Sequence, residues 1–331
     1  MESPKTLQQA IIFFANEDNC VSYVRDMRWP DGVVICPTCG RNDVSWLAKQ
    51  KKWQCKSKHT KRQFSAKVGT IYEDSAISLD KWLMATWLVV NCKNGVSSYE
   101  IARDLGITQK SAWFMLHRIR LAMKDTTATK LGGKNSGGPV EIDEAFVGGD
   151  PKNWHFDRRK KMQKESRSER VQRYQNAYTH KTAVMGMFDR ESRQVRAKVV
   201  PNVRRETLQE EIFKNIHFGS KVFTDEAVAH KSLNWEYIHK TVNHAETYVN
   251  GQVHTNSLEN FWSLMKRNLR GTYVAVEPFH LDRYIDEQVF RFNNRQNKTD
   301  EQRFKKALSQ VAGKRLTYAE VTGKVKETEV F

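Results

Sequence analysis

The segment CPTCG at 36–40, followed by Cys55 after fifteen residues intervening from Cys39 and then by His59, constrains this chain more than any other feature. A Cys-x2-Cys pair brings two thiolates onto one tight turn. A second pair of donors beyond a short hairpin completes four ligands around a tetrahedral Zn²⁺. Pro37 and Gly40 suit such a turn. The second knuckle is irregular: Cys55-x2 lands on Lys58, which is no zinc ligand, so His59 is the expected fourth donor. Cys36, Cys39, Cys55 and His59 therefore read as one structural zinc site, with no position left open for substrate. The competing reading is two unrelated buried thiols and a surface histidine. Cys20 and Cys92 sit in apolar helical contexts and read as core residues. Five cysteines in 331 residues are no disulfide framework and fit a reducing compartment.

Around this ribbon, assigned to 31–68, the chain reads as multidomain α+β. Residues 1–30 form a helical segment, with Leu7, Ile11, Phe14, Val21, Val24 and Met27 at helical spacing, a break near Asn16 and a stop at Pro30. Within the ribbon, 33–35 and 44–47 have β-type patterns. Helical periodicity resumes over 69–124, from Ser78 to Asn94-Gly95 and then on either side of Gly106. The Gly-, Ser- and Thr-rich stretch 125–139 has no apolar period and is the expected linker. From 140 to 310 strands alternate with helices, as in an α/β domain, and 311–331 reads as a polar, loosely docked tail.

A formal net charge of +17 points to a polyanionic partner, of which nucleic acid is the commonest. Hydrophobic residues at 39%, with nine Trp and sixteen Phe, exclude wholesale disorder. No apolar run reaches the ~18 residues that a membrane span requires, and the N-terminus lacks a secretory signal pattern. The segment SYEIARDLGITQKSAWFMLHRIR at 98–120 has the form of a helix-turn-helix. Gly106 makes the turn, Thr108 caps the second helix, and Gln109, Lys110, Ser111 and Arg118 are expected to face DNA from it. An ordinary helical hairpin is the alternative.

Three carboxylates stand out in the second half. Asp143 lies mid-strand in VEIDEAFV, Asp225 ends the strand KVFTD, and Glu259 sits in the first turns of a helix beginning near 256. Carboxylates from two strands and a helix can converge on a pair of Mg²⁺ (or Mn²⁺) ions, one activating the attacking oxygen and one steadying the leaving oxygen. Asn256, Glu259 and Lys266 share a helix face, so Asn256 stays open as an alternative ligand and Lys266 as a phosphate contact. The bland reading is that these are ordinary strand-end and helix-surface acids.

In this order the ribbon, the paired helices, the linker, IDEAFVGG (142–149), FTDEA (223–227) and HTNSLENFWSLMKRNLRGTY (254–273) resemble the DDE transposases of the Merlin type and their bacterial insertion-sequence relatives. The likeness spans roughly 30–300 and is most specific over 254–273. It implies a ribonuclease H-like catalytic domain, Mg²⁺-dependent cleavage at transposon ends and joining of the freed 3′-hydroxyl to target DNA. It places the family's acids on Asp143, Asp225 and Glu259, the last two 34 positions apart. His59 departs from relatives with a second Cys-x2-Cys.

Residues 150–181 carry ten Lys/Arg against four Asp/Glu. They read either as a solvated loop or as an arm tracking phosphates through Arg158, Arg159, Lys160 and Lys161. Lys266 and Arg267 extend the DNA-facing set. The expected function is a DNA transposase, acting on double-stranded DNA as a dimer or larger, away from membranes, in the cytoplasm or in a nucleus if the source is eukaryotic. A non-enzymatic DNA-binding regulator, or a hydrolytic nuclease without strand transfer, is the alternative.

Overall fold

The computed structural model describes residues 3–124, 126, 129–133, 138–148, 156, 157, 160, 181–225, 233–242 and 254–324. Contacts divide the chain into two compact units, one of 1–125 with 294–331 and one of 126–293.

The first unit opens with α1 (Leu7–Phe14) and α2 (Glu17–Arg28), and Asn16 between them caps α2 by accepting from the Asp18 amide. That cap is the break visible in the sequence, since an Asn side chain satisfies an amide the helix cannot. Three short antiparallel strands follow, β1 (Val44–Leu47), β2 (Lys52–Cys55) and β3 (Gln63–Phe64). The expected strand at 33–35 does not form; Val33 and Ile35 are exposed loop residues. Trp53 is the ribbon's small core, packed between the rings of Trp29, Trp46 and Phe64.

Three helices continue the unit: α3 (Leu79–Asn91), α4 (Ser98–Leu105) and α5 (Gln109–Met123). Gly106 takes the left-handed conformation (φ +59°) between α4 and α5, a backbone state that glycine enters without steric cost, and Thr108 caps α5. The chain's end also belongs here. The helix that runs Asp300–Ser309 buries Phe304 against Phe14 and Trp87, and Val311, Leu316 and Val321 are buried behind it. The loosely docked tail expected from 311 is thus anchored as far as it is described, and the stretch from 294 groups with the N-terminal half. Polarity misled there because the buried apolar residues are widely spaced.

In the second unit a five-stranded sheet has the order β6-β5-β4-β7-β8. The strands are β4 (Val140–Val147), β5 (Thr182–Asp189), β6 (Gln194–Val200), β7 (Lys221–Asp225) and β8 (Ile238–Val242). The first three form an antiparallel meander; β7 and β8 run parallel to β4. One sheet face, with Val140, Ile142, Met185 and Val222, packs on Leu208 and Ile212 of α6 (Arg205–Asn215). The opposite face, with Ala145, Val184 and Phe188, packs on Leu258, Phe261, Trp262 and Met265 of α7 (Asn256–Asn268) and on Ile285 and Val289 of α8 (Leu281–Asn293). Helices on both faces explain why β5 is apolar on both sides. Part of the expected linker is built into this unit: Leu131 is buried, and its amide donates to the Asn215 carbonyl at 2.7 Å.

Candidate active site and zinc site

In the ribbon, the first knuckle closes through the Cys36 amide donating to the Arg41 carbonyl (2.8 Å) and the Gly40 amide to the Cys36 carbonyl (2.9 Å), with Gly40 at φ +72°. Cys55 ends β2 and His59 follows in the loop before β3. Among the described residues, Cys36, Cys39, Cys55 and His59 are the one group of three or more His, Cys, Asp or Glu whose ligand atoms all lie within 4.8 Å of one another. Cys36 Sγ is 3.5 Å from His59 Nε2 and Cys39 Sγ is 3.6 Å from Cys55 Sγ. Thiolates bound at about 2.3 Å in a tetrahedron sit roughly 3.8 Å apart, whereas a disulfide would hold the sulfurs at about 2.05 Å. The set therefore fits a structural Zn²⁺ held by three thiolates and the Nε2 of His59.

Within the sheet, Asp143 lies on the face of β4 that meets α7. Its neighbour on β5 is Gly186, and a Cβ there would stand 2.5 Å from Trp262 Cζ2, so the glycine is what lets the indole reach the strand. Trp262 Nε1 donates to Asp143 Oδ2 at 3.0 Å, and the Glu144 amide donates to Oδ1 at 2.9 Å. On the other side, β4 pairs with β7 through Val140–Val222 and Glu141–Phe223, a register that sets Asp143 alongside Asp225. Burial pushes the Asp143 carboxyl up to about 6; the charges of Glu144 and Asp225 add to the rise, and the two N–H donors oppose it. A dication would relieve that repulsion.

Glu259 is exposed in the first turn of α7, with Asn256 exposed ahead of it. The three carboxylates do not draw together as the zinc donors do. Lys266 is half-buried and, with Lys181 and Arg270, lines an open groove of about 420 Å³ whose apolar walls include Val147, Leu269 and Leu281. Arg267 is exposed.

The expected DNA-facing residues of α5 divide. Lys110 is exposed, with its Nζ 4.9 Å from the Tyr318 ring; Gln109 is half-buried and donates to Ser98 Oγ (2.9 Å); Ser111 is half-buried beside the cap Thr108. Arg118 corrects the sequence reading. It is 3% exposed, donates to the Glu73 carbonyl and lies against the rings of Trp82 and Phe114. The second half of α5 is buried on every side, so helical phase alone misassigned that arginine. Lys160 is exposed near the Phe156 ring, while Arg158, Arg159 and Lys161 lie outside the described residues.

Sequence reasoning missed Glu141, Arg190, His254 and Trp262. Glu141 is fully buried; it accepts the amides of Ser257 (3.0 Å) and Leu258 (3.1 Å) and pairs with Arg190 Nε (2.6 Å). Arg190 also contacts His254 Nδ1 (2.7 Å) and its carbonyl (2.8 Å); burial and this guanidinium hold the His254 imidazole below its usual pKa. The available signal was parity, because Glu141 and Asp143 share one face of β4.

Residues 135–293 match the ISXO2-like transposase domain, and residues 15–60 match the transposase zinc-ribbon domain. An uncharacterized protein in transposable element ISH50 of Halobacterium salinarum is 27% identical over 265 residues, covering 77% of this chain and 83% of that protein. A cryo-EM structure of the simian T-cell lymphotropic virus intasome with the PP2A regulatory subunit B56 gamma aligns over 60% of this chain and 66% of that one, at 13% identity. Its TM-score of 0.26 carries no argument about fold. A ribbon match and a transposase-domain match, in the same order as the motifs first read from the sequence, together support an IS1595-type DDE transposase.

Proposed function

We propose that this protein cleaves the ends of a transposable element and joins the freed 3′-hydroxyl to target DNA, with Asp143, Asp225 and Glu259 as the catalytic acids. The observation that carries the reading is the shared register of Asp143 and Asp225 on adjacent parallel strands, with α7 held over them through Trp262. The sheet order, an antiparallel meander followed by two parallel strands with helices on both faces, supports a ribonuclease H-like reading of this domain. Two Mg²⁺ or Mn²⁺ ions held by these acids would supply an activated oxygen nucleophile and charge stabilisation at the leaving oxygen.

In the first step water attacks a terminal phosphodiester; the bond to the 3′-oxygen breaks, leaving a 3′-hydroxyl and a 5′-phosphate. In the second, that hydroxyl attacks a target phosphodiester and displaces another 3′-oxygen, so the number of phosphodiester bonds is unchanged. Asp143 and Asp225 would hold the dications that clamp the reacting phosphate. Lys266 contacts a neighbouring phosphate, with Arg267 and the basic segment around Lys160 extending the path. The ribbon and the start of α5, through exposed Lys110 and half-buried Gln109 and Ser111, read the terminal DNA in helix-turn-helix fashion. A dimer or larger assembly brings two ends together.

The test is Asp143→Asn and Asp225→Asn in end-cleavage and joining assays with Mg²⁺ or Mn²⁺. Each is expected to lower both steps by more than about a thousandfold while terminal-DNA affinity stays within about twofold, since the reading head is untouched. Residual activity within about tenfold, roughly 1.4 kcal/mol of barrier, overturns the assignment of these acids. Wild-type cleavage without joining would make the protein a nuclease.

A further inference from the structure

At the start of the helix that carries Glu259, the Asn256 amide donates to His254 Nδ1 over a long 3.4 Å. Thr255, at the N-cap position of α7, makes no side-chain capping bond. The next two amides of the helix are satisfied by a carboxylate 116 residues away in sequence: Oε2 of Glu141 accepts from both Ser257 and Leu258. The other oxygen, Oε1, accepts Arg190 Nε at 2.6 Å, and Arg190 in turn grips the His254 carbonyl at 2.8 Å, one residue before the N-cap. Glu141 is 0% exposed.

Thr255 carries a hydroxyl of the capping kind but does not use it on these amides, and a buried ion pair is weak evidence for stability in itself. A distant cap does what a local one cannot: it ties the helix start to a particular place on β4. That place is two residues from Asp143, on the same face of the strand. Trp262 makes a second tie, from the next turn of α7 to Asp143 itself. Between the two ties lies Glu259, two residues beyond Ser257.

We infer that Glu141 is a positioning residue for the reaction, acting through Ser257, Leu258, Arg190 and His254 to set Glu259 against Asp143 and Asp225. The inference rests on the acid assignment proposed above. Glu141 touches no reacting atom; its effect passes through the helix.

The experiment compares Glu141→Gln and Glu141→Asp with wild type and with Asp225→Asn. It measures Mn²⁺ binding by calorimetry without DNA, the Mn²⁺ half-saturation of end cleavage, and hydrogen exchange across α7. Glu141→Gln keeps the size and one acceptor but loses the charge. Glu141→Asp keeps the charge but shortens the tie by one methylene, and serves if the Gln variant fails to fold. For both we expect a Mn²⁺ midpoint raised at least tenfold in the binding and cleavage assays, partial recovery of cleavage at high metal, unchanged terminal-DNA affinity, and faster exchange confined to the start of α7. Folded variants with faster exchange but a Mn²⁺ midpoint within twofold of wild type would show a merely structural cap and overturn the inference. If Asp225→Asn also binds Mn²⁺ like wild type, the acid assignment fails, and the positioning role with it.

Discussion

Trp262 Nε1 donates to Asp143 Oδ2 at 3.0 Å across the junction of α7 and β4, directly over Gly186. With the Glu144 amide on Oδ1, this bond fixes the orientation of the carboxylate, and it depends on the absence of a side chain at Gly186 of β5. Gly186→Ala is therefore expected to displace the indole. Backbone cannot yield readily in the middle of a sheet, so the overpacking should cost about 1–3 kcal/mol of stability. Thermal unfolding and end cleavage check this together: the melting temperature should fall, and cleavage should fall further than the loss of folded protein explains.

The raised Asp143 pKa gives a pH signature. Its carboxyl is held at about 6 in the folded chain against an ordinary 3.8, so its protonated form favours folding. That contribution is complete below about pH 4 and is lost as pH rises through 6, leaving a cost of about 3 kcal/mol at pH 8 in metal-free protein. Asparagine removes the charge but keeps only one of two acceptors, so Asp143→Asn should stabilise the metal-free protein by about 1–2 kcal/mol at pH 8. Denaturant titrations at pH 4 and pH 8 should show the gain at the higher pH only.

Cys39→Ser removes one of four donors whose atoms already stand at tetrahedral separations. Elemental analysis of wild type should give one Zn²⁺ per chain. The variant should lose it, along with the Trp53-centred packing of the ribbon seen in tryptophan fluorescence. Terminal-DNA binding should weaken at least tenfold while metal-dependent nicking of non-specific DNA persists.

Arg118 and Lys110, two turns apart on α5, should separate structure from recognition. Lys110→Ala is expected to weaken DNA binding a few-fold and flatten its salt dependence, with no change in melting temperature. Arg118→Ala removes the partner of the Glu73 carbonyl and the packing against Trp82, and should destabilise by about 2 kcal/mol. Equal stability of the two variants would contradict the burial of Arg118.

Glu259 and Asn256 occupy the same exposed first turn. A carboxylate is the better ligand for a hard dication because it carries negative charge. Glu259→Gln should abolish cleavage across a Mg²⁺ titration, whereas Asn256→Ala should leave a milder defect that excess Mg²⁺ rescues. The opposite order would move the third ligand to Asn256.

What the sequence determined by itself is what local chemistry encodes. The Cys36, Cys39, Cys55 and His59 spacing is a near-neighbour property of two turns, and the structure gathers those four donors. Helix starts at Asn16, Ser78 and Thr108 were likewise legible, because capping and periodicity act within a few residues. Tertiary structure decided what depends on partners far along the chain. The β4–β7 register that sets Asp143 beside Asp225 links strands about eighty residues apart, and no local pattern fixes it. The distant cap from Glu141 to Ser257 and Leu258 left no trace at position 255. Arg118 looked like a solvent-facing base on a helical wheel, yet it is buried because α5 is enclosed by its neighbours along that half. A helical wheel gives the phase of a side chain. Which faces of the helix are covered is set by the elements packed around it.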